Sequence, residues 1–247
     1  MNVAGVVAAL DREARALGPA LEGGAGFDVL AGGTLRTVSG MGCAAAGMAA
    51  RRLVEAGATA LVSWGMAGGL DPDLEAGAIC LPSEVLASDG MRFATASSWR
   101  EMLATSIACY RPVVSGPLLT SLHPVTGVAE KSAVRRKTGA VAVDMESSAV
   151  AEVAAACHMP FVAVRVIVDT ALDGIPGSVT AAGESGQVRL ARLLVGLVRS
   201  PGEIAPLFRL ARRYRAAIRS LRAVARLGRL APPAMAGERG GLVENRA

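Results

Sequence analysis

The stretch Val143-Asp144-Met145-Glu146-Ser147-Ser148-Ala149-Val150 most constrains how this chain can fold. An apolar run over Gly139–Val143 ends there in two carboxylates that flank a methionine. A helical stripe of small residues (Ala149, Val150, Val153, Ala154, Cys157) begins at once. Glu146 therefore stands where a strand hands over to a helix. In open α/β sheets ligands bind at that edge, and the helix N-terminal dipole favours an ionised carboxylate. Such a group accepts hydrogen bonds from paired hydroxyls or holds a cation. A plainer reading makes Asp144 and Glu146 caps on the helix start, and this stretch alone does not separate the two.

The same architecture recurs. Val3–Leu10 is a short apolar run that reads as a buried strand, and Glu13 follows in the first turn of a helix. Phe161–Val168 is a long apolar strand, interrupted by Arg165 and ending in Asp169-Thr170. Between these lie a strand over Leu35–Ser39, a helix over Cys43–Gly57 and a strand over Ala60–Trp64. Gly65-Met66-Ala67-Gly68-Gly69-Leu70 reads as a glycine-rich turn. Further on, Ala78–Leu81 and Pro112–Ser115 read as strands and Ser98–Tyr110 as a helix, with Leu118–Pro124 irregular. Thr126–Thr138 reads as an amphipathic helix with Lys131, Arg135, Arg136 and Lys137 facing water. Ile175–Gly177 reads as a loop and Ala182–Val198 as a helix. Strands alternating with helices predict an α/β fold with three layers, α/β/α, around a central mixed sheet.

Gly40-Met41-Gly42-Cys43-Ala44-Ala45 fits the dinucleotide pattern G-x-G-x-x-A between strand and helix. That site would need an acid at the end of the next strand to hold a ribose, and this strand ends in Ser63-Trp64-Gly65. The dinucleotide reading is therefore set aside. The amides around Gly42 stay a candidate anion or phosphate site at a helix N-terminus.

Hydrophobic residues make up 52% of the 247 and charged ones 19%, which supports a sizeable core and argues against global disorder. Aromatics are only 3%, so that core has to be built from Ala, Val and Leu. Cys43, Cys80, Cys109 and Cys157 show no metal or redox spacing and read as buried thiols of a reducing compartment. With two histidines, His123 and His158, a histidine metal site is not expected, and no metal or other cofactor is. Asp11 and Glu13 interrupt the first apolar stretch, against a signal peptide, and no uncharged run reaches membrane-spanning length. The expected location is cytoplasmic, with the inner membrane face as the other candidate.

Charge is uneven. From Arg199 onward there are eleven Arg and three Glu, whereas the preceding residues carry 15 basic and 18 acidic side chains. Between Glu203 and Leu230 apolar residues recur at helical spacing, interleaved with arginines from Arg209 to Arg229. A basic amphipathic helix reads as a membrane-surface element; a helix docked on the body or an oligomer contact are the rivals. Nucleic acid is disfavoured because no stacking aromatics interleave. The expected division is a body over 1–200, the basic helical extension over 201–231 and a disordered tail over 232–247.

Three acids, Glu13, Glu146 and Asp169, thus end separate strands. Acids without a metal or histidine suit cleavage of a glycosidic bond, whose transition state is a cationic sugar. One acid protonates the leaving group and another positions the nucleophile.

Residues 1–200 resemble the superfamily of purine nucleoside phosphorylases and methylthioadenosine/S-adenosylhomocysteine nucleosidases. The resemblance rests on Gly5–Glu13, Ser39–Gly42, Gly65–Leu70, Val114–Gly116, Val143–Glu146 and Pro160–Asp169, in the family's order. It implies that Glu146 grips the ribose hydroxyls and that Met145 lies beside the sugar. It implies further that Asp169 protonates or hydrogen-bonds purine N7, that Glu13 activates water, and that Leu119 packs on the base. Ala67 and Gly68 would lie beneath the ribose, beside Met66. Where nucleosidases commonly have serine this chain has Met66, and where hexameric phosphorylases place an arginine it has Ser63. The nucleophile, water or phosphate as co-substrate, stays open. With the Arg-rich extension, the chain is similar to the hopanoid-associated phosphorylases, which implies removal of adenine from the lipid-linked nucleoside adenosylhopane. A soluble nucleosidase acting on methylthioadenosine or S-adenosylhomocysteine is the alternative, and a non-catalytic nucleoside-binding protein the second. The family implies a homo-oligomer, at least a dimer.

Overall fold

The computed structural model describes residues 2–24, 26–174, 204–228 and 230–233. The expected loop at Ile175–Gly177, the expected helix over Ala182–Val198 and all but the first two residues of the expected disordered tail lie outside them.

The chain begins with strand β1 (Ala4–Ala8), helix α1 (Asp11–Ala14), and the short strands β2 (Glu22–Gly23) and β3 (Asp28–Val29). Strand β4 (Leu35–Val38), helix α2 (Cys43–Glu55) and strand β5 (Ala60–Gly69) follow. Next come β6 (Ile79–Cys80), β7 (Glu84–Leu86), β8 (Arg92–Ala94), α3 (Ser97–Ile107), β9 (Val113–Val114) and β10 (Pro117–Thr120). Helix α4 (Val128–Thr138), β11 (Ala142–Asp144), α5 (Ser147–Ala156), β12 (Phe161–Asp169) and α6 (Ile204–Leu227) complete the strands and α-helices of the described residues.

The strands form one mixed sheet. At its centre β5 pairs in parallel with β1 and with β12. Strands covered on both faces need continuous apolar sequence, and β12 is buried at every position but Val168. One face carries α2 and α5, whose Ala46, Ala50, Leu53, Val150 and Ala154 pack with Val7, Leu61 and Ala163. Small residues let these two helices approach closely: a Cβ on Gly47 would stand 3.7 Å from that of Ala149. The other face carries α3 and α6, whose Trp99, Leu103, Leu221 and Val224 pack with Val6, Val62 and Val164. The expected three-layer α/β/α fold is thus the one observed.

Helix α6 lies on this second face. Ala217, Ser220, Leu221 and Val224 form its buried stripe, and the Ser220 hydroxyl donates to the Gly77 carbonyl at 2.8 Å. Arg209, Arg212, Arg215, Arg219, Arg222 and Arg226 point to solvent. No helix among the described residues is long and apolar enough to cross a membrane.

Four expectations need correction. Gly65–Leu70 is not a turn, because β5 runs unbroken to Gly69. The segment after Gly116 is not irregular throughout, because Pro117–Thr120 pairs between β7 and β11. Lys131 does not face water; it is fully buried. The cysteines are not all buried: Cys80 is, Cys43 is partly so, and Cys109 and Cys157 are exposed because they sit where α3 and α5 end.

Candidate active site

The site is built on a split in the sheet. Along one side of β5, β1 pairs with Ala60–Trp64 and the antiparallel β11 with Gly68–Gly69. Gly65–Ala67 falls between them, and a buried N–H there needs another acceptor. Glu13 supplies it. Its Oε1 accepts from the Met66 amide at 2.9 Å, and its Oε2 accepts from the Leu10 amide at 3.1 Å, closing the start of α1. Gly65 has to lack a side chain here, since a Cβ would lie 2.8 Å from the Glu13 carboxylate. Burial pushes the Glu13 carboxyl above its ordinary range, against the pull of these amides and of Arg165.

The second acid comes from the β11–α5 junction. Glu146 precedes the first turn of α5, and its Oε1 accepts from the Gly42 amide at 2.8 Å. The amide expected to hold an external anion therefore holds the chain's own carboxylate. The Cys43 thiol donates to the Met145 carbonyl at 3.3 Å, fastening the same junction to the start of α2. Burial, with the charge of Asp144 next, pushes Glu146 up to about 7. Glu13 contributes in the same direction, so the two acids feel one another.

Beneath Glu146 lies a buried polar cluster. Arg165 of β12 is 2% exposed. Its Nε donates to Asp144 Oδ2 at 2.8 Å, and its Nη2 to the hydroxyls of Ser63 at 2.6 Å and Ser147 at 2.9 Å. Asp144 also accepts from the Thr120 hydroxyl at 2.8 Å and from the Ser147 amide at 3.2 Å. It thus caps α5 and neutralises Arg165 at once. Burial disfavours the charge on Arg165, but Asp144, Glu146 and Glu13 outweigh it.

The third acid ends β12. The register between β12 and β5 shifts between Ile167 and Asp169, so the bulge at Val168 re-aims the strand's last side chain. Asp169 then lies over Gly68, where a Cβ would stand 3.3 Å from its Oδ2. Its partner is Lys131 of α4, whose ammonium donates to Asp169 Oδ2 and to the carbonyls of Thr170 at 2.8 Å and Asp173 at 3.0 Å. All three donors of the lysine are engaged. Burial raises the Asp169 carboxyl in spite of Lys131.

Gly65–Gly69 of β5 therefore brings together Glu13 and Asp169, with Glu146 electrostatically coupled to Glu13. Met66 and Met145 are partly buried beside them. Ala67 is buried in the core. Leu119, paired with Val143, packs with Leu70 and Leu86. It lines a cavity of about 520 Å³ together with Leu86, Arg92, Thr120, Val134 and Lys137. None of the three acids lines that cavity. Among the described residues no three His, Cys, Asp or Glu side chains are grouped to hold a metal.

Sequence reasoning missed Lys131, Arg165 and Ser63. Arg165 carried a usable signal, since a charge inside an apolar run demands a buried partner. Lys131 carried none, because its helix is polar on most sides.

The family profile of the phosphorylase superfamily matches residues 31–199. No curated protein matches the chain. Among solved structures, a 5'-methylthioadenosine/S-adenosylhomocysteine nucleosidase from Neisseria meningitidis, in complex with methylthio-immucillin-A, superposes with a TM-score of 0.68. It is 20% identical, over 92% of this chain and 98% of that one. The corresponding nucleosidase of Helicobacter pylori gives 0.67 at 16% identity, covering 92% and 98%. The futalosine hydrolase of Helicobacter pylori gives 0.66 at 15% identity, covering 91% and 97%.

Proposed function

The chain belongs to the phosphorylase superfamily and is an enzyme of N-glycosidic bond cleavage, and from that premise we propose that it releases adenine from a lipid-linked nucleoside, adenosylhopane, with water as nucleophile. The observation that carries the catalytic reading is the approach of Glu13 to Gly65 and of Asp169 to Gly68 on the same strand, with Glu146 electrostatically coupled to Glu13. As the C1′–N9 bond lengthens, Asp169, whose carboxyl burial raises, gives a proton or hydrogen bond to purine N7, and the bond's electron pair leaves with the base. Glu146 accepts from the ribose 2′- and 3′-hydroxyls. Glu13, also raised by burial, takes the proton from the water that attacks C1′. Engagement of the Gly42 amide by Glu146 supports water over phosphate.

Two features support a lipid-linked substrate. Met66, a hydrophobic side chain, donates its amide to Glu13 at the heart of the site. The exposed arginines of α6 offer cations to an anionic leaflet, each worth about 1 kcal/mol near the surface. Exposed Met41, Met48 and Leu122 support a homodimer. The names of the two nucleosidases among the structural neighbours favour a second reading, a soluble nucleosidase for methylthioadenosine or S-adenosylhomocysteine.

Free adenine is to be followed with adenosylhopane in detergent, methylthioadenosine and S-adenosylhomocysteine, each with and without phosphate. The proposal expects the lipid nucleoside to be the preferred substrate and the sugar product to gain the mass of water. Rapid turnover confined to the soluble compounds would sink the lipid reading. Flotation with phosphatidylglycerol vesicles, lost in an Arg212→Gln/Arg219→Gln/Arg226→Gln variant, tests the surface contact without removing a helix that packs on the core.

A further inference from the structure

The C-terminal helix lies beyond the residues that the family profile matches, yet it touches both turns that carry reacting acids. Arg213 Nη1 of α6 meets Asp173 Oδ2 at 2.5 Å. That same oxygen accepts from the Thr170 hydroxyl at 2.6 Å and the Thr170 amide at 3.0 Å. The Asp173 amide in turn donates to the Thr170 carbonyl at 3.1 Å. Residues 170–173 are thereby closed into a turn whose two carbonyls, of Thr170 and Asp173, converge on the Lys131 ammonium. Lys131 is the group that holds Asp169. One residue along α6, the ring of Tyr214 lies 5.9 Å from the Arg12 guanidinium, next to Glu13. The helix is itself anchored at Gly77, whose amide donates to the Ile167 carbonyl of β12 at 2.7 Å.

We propose that Arg213 is a positioning residue for the leaving-group acid: through Asp173 it fixes the carbonyl cradle that orients Lys131, and Lys131 fixes Asp169. This rests on the glycosidic-bond reading of the site. A lysine on a flexible stem is a poor orienter by itself. Here two carbonyls fix where its third donor points, and those carbonyls are only as fixed as the turn that bears them. The inner side of the basic helix is then a working part of the catalytic body, whatever its exposed arginines contact. Loosening Asp169 should affect the chemical step more than substrate binding, because leaving-group assistance is realised in the transition state.

The test uses the full-length protein and its point variants. Arg213→Gln is expected to lower kcat about tenfold, within the range that small misplacements cost, with KM little changed. It is expected to move the alkaline limb of the pH profile upward, since a cation near Asp169 is lost and the charge of Asp173 is left unbalanced. Arg213→Lys is expected to restore most of the rate. Arg51→Gln, an exposed arginine of α2, should match the wild type in rate, and Arg219→Gln, an exposed arginine of α6, serves as the control for exchange. In an Asp173→Asn background, Arg213→Gln should cost less than about twofold more, as for residues acting through one contact. Hydrogen exchange over residues 165–174, which needs no substrate, should quicken in Arg213→Gln and not in Arg219→Gln. Wild-type kcat, pH profile and exchange in Arg213→Gln would overturn the inference. A wild-type protein that releases no base from any nucleoside overturns the glycosidase reading and the kinetic role with it, and the exchange experiment still decides whether α6 holds the turn.

Discussion

Asp144 and Asp169 both end strands, are only 5% and 4% exposed, and pair with a cation that is itself buried. Their surroundings nonetheless differ. Asp144 has both oxygens engaged, one by Thr120 and the other by Arg165, with the Ser147 amide at hand. Asp169 has one oxygen on Lys131, and among the described residues no hydrogen bond reaches its Oδ1. The first acid is closed and serves the frame; among the described residues the second keeps one oxygen unpaired beside Gly68. The cations differ in the same sense. Arg165 spends its fork on side chains of β5, β11 and α5, locking three elements together. Lys131 is oriented by a turn that depends on the C-terminal helix. Burial and pairing are common to both acids, so the proposed role of Asp169 rests on the oxygen that the described residues leave unpaired beside Gly68.

The largest effect should come from breaking the closed pair. Arg165→Met leaves Asp144 buried without its cation and is expected to cost about 3–5 kcal/mol in urea unfolding. Adding Asp144→Asn should restore part of the loss, because the stranded charge goes with it. If Arg165→Met is as stable as the wild type, the frame role is wrong. At the open pair, Asp169→Asn is expected to reduce kcat for adenine release about 10²-fold to 10³-fold while leaving a cooperative fold. Asp144→Asn should lose less rate and more stability than Asp169→Asn, and the reverse ranking would undo the distinction between the two acids.

The placement of the three acids was legible. Glu13, Glu146 and Asp169 each follow an apolar run, and the strand-to-helix edge is where such groups gather. The layers were legible too, because β1, β5 and β12 are continuous apolar runs and α2 and α5 carry stripes of small residues. Gly65–Leu70 was misread as a turn because glycine permits turns. Its glycines answer instead to the carboxylates of Glu13 and Asp169, which stand where a Cβ would be, and a single sequence does not display that close approach. Strands β2, β3, β7 and β8 span two or three residues each and carry no readable period. Lys131 shares its helix with Arg135, Arg136 and Lys137. Only the position of Asp169 in space separates the fully buried Lys131 from the exposed Arg136 and Lys137, while Arg135 is half-buried against Asp71.

Glu146 lies between the two extremes, and the smallest of these effects tests it. It has one oxygen on the Gly42 amide, and Arg165 touches it only through space. Burial and Asp144 therefore push it to about 7, above the ordinary carboxyl value. A raised carboxyl means that the folded state binds the proton more tightly than the unfolded chain. The ionised form then weakens the fold; the penalty is absent below about pH 4.5, grows through the interval and is complete above about pH 7. Glu146→Gln removes the charge and keeps an oxygen for Gly42. It is expected to be about 1–2 kcal/mol more stable than the wild type at pH 8, the screened part of what such a shift is worth. That advantage should vanish on acidification to pH 4. Activity should move the other way. A neutral amide is a weaker acceptor for the ribose diol, so KM should rise in the variant at pH 8, and in the wild type as pH falls below about 7. A variant more stable at pH 8 and poorer with nucleoside identifies Glu146 as strain kept for binding. Equal stability across the range would place it with Asp144, as part of the frame.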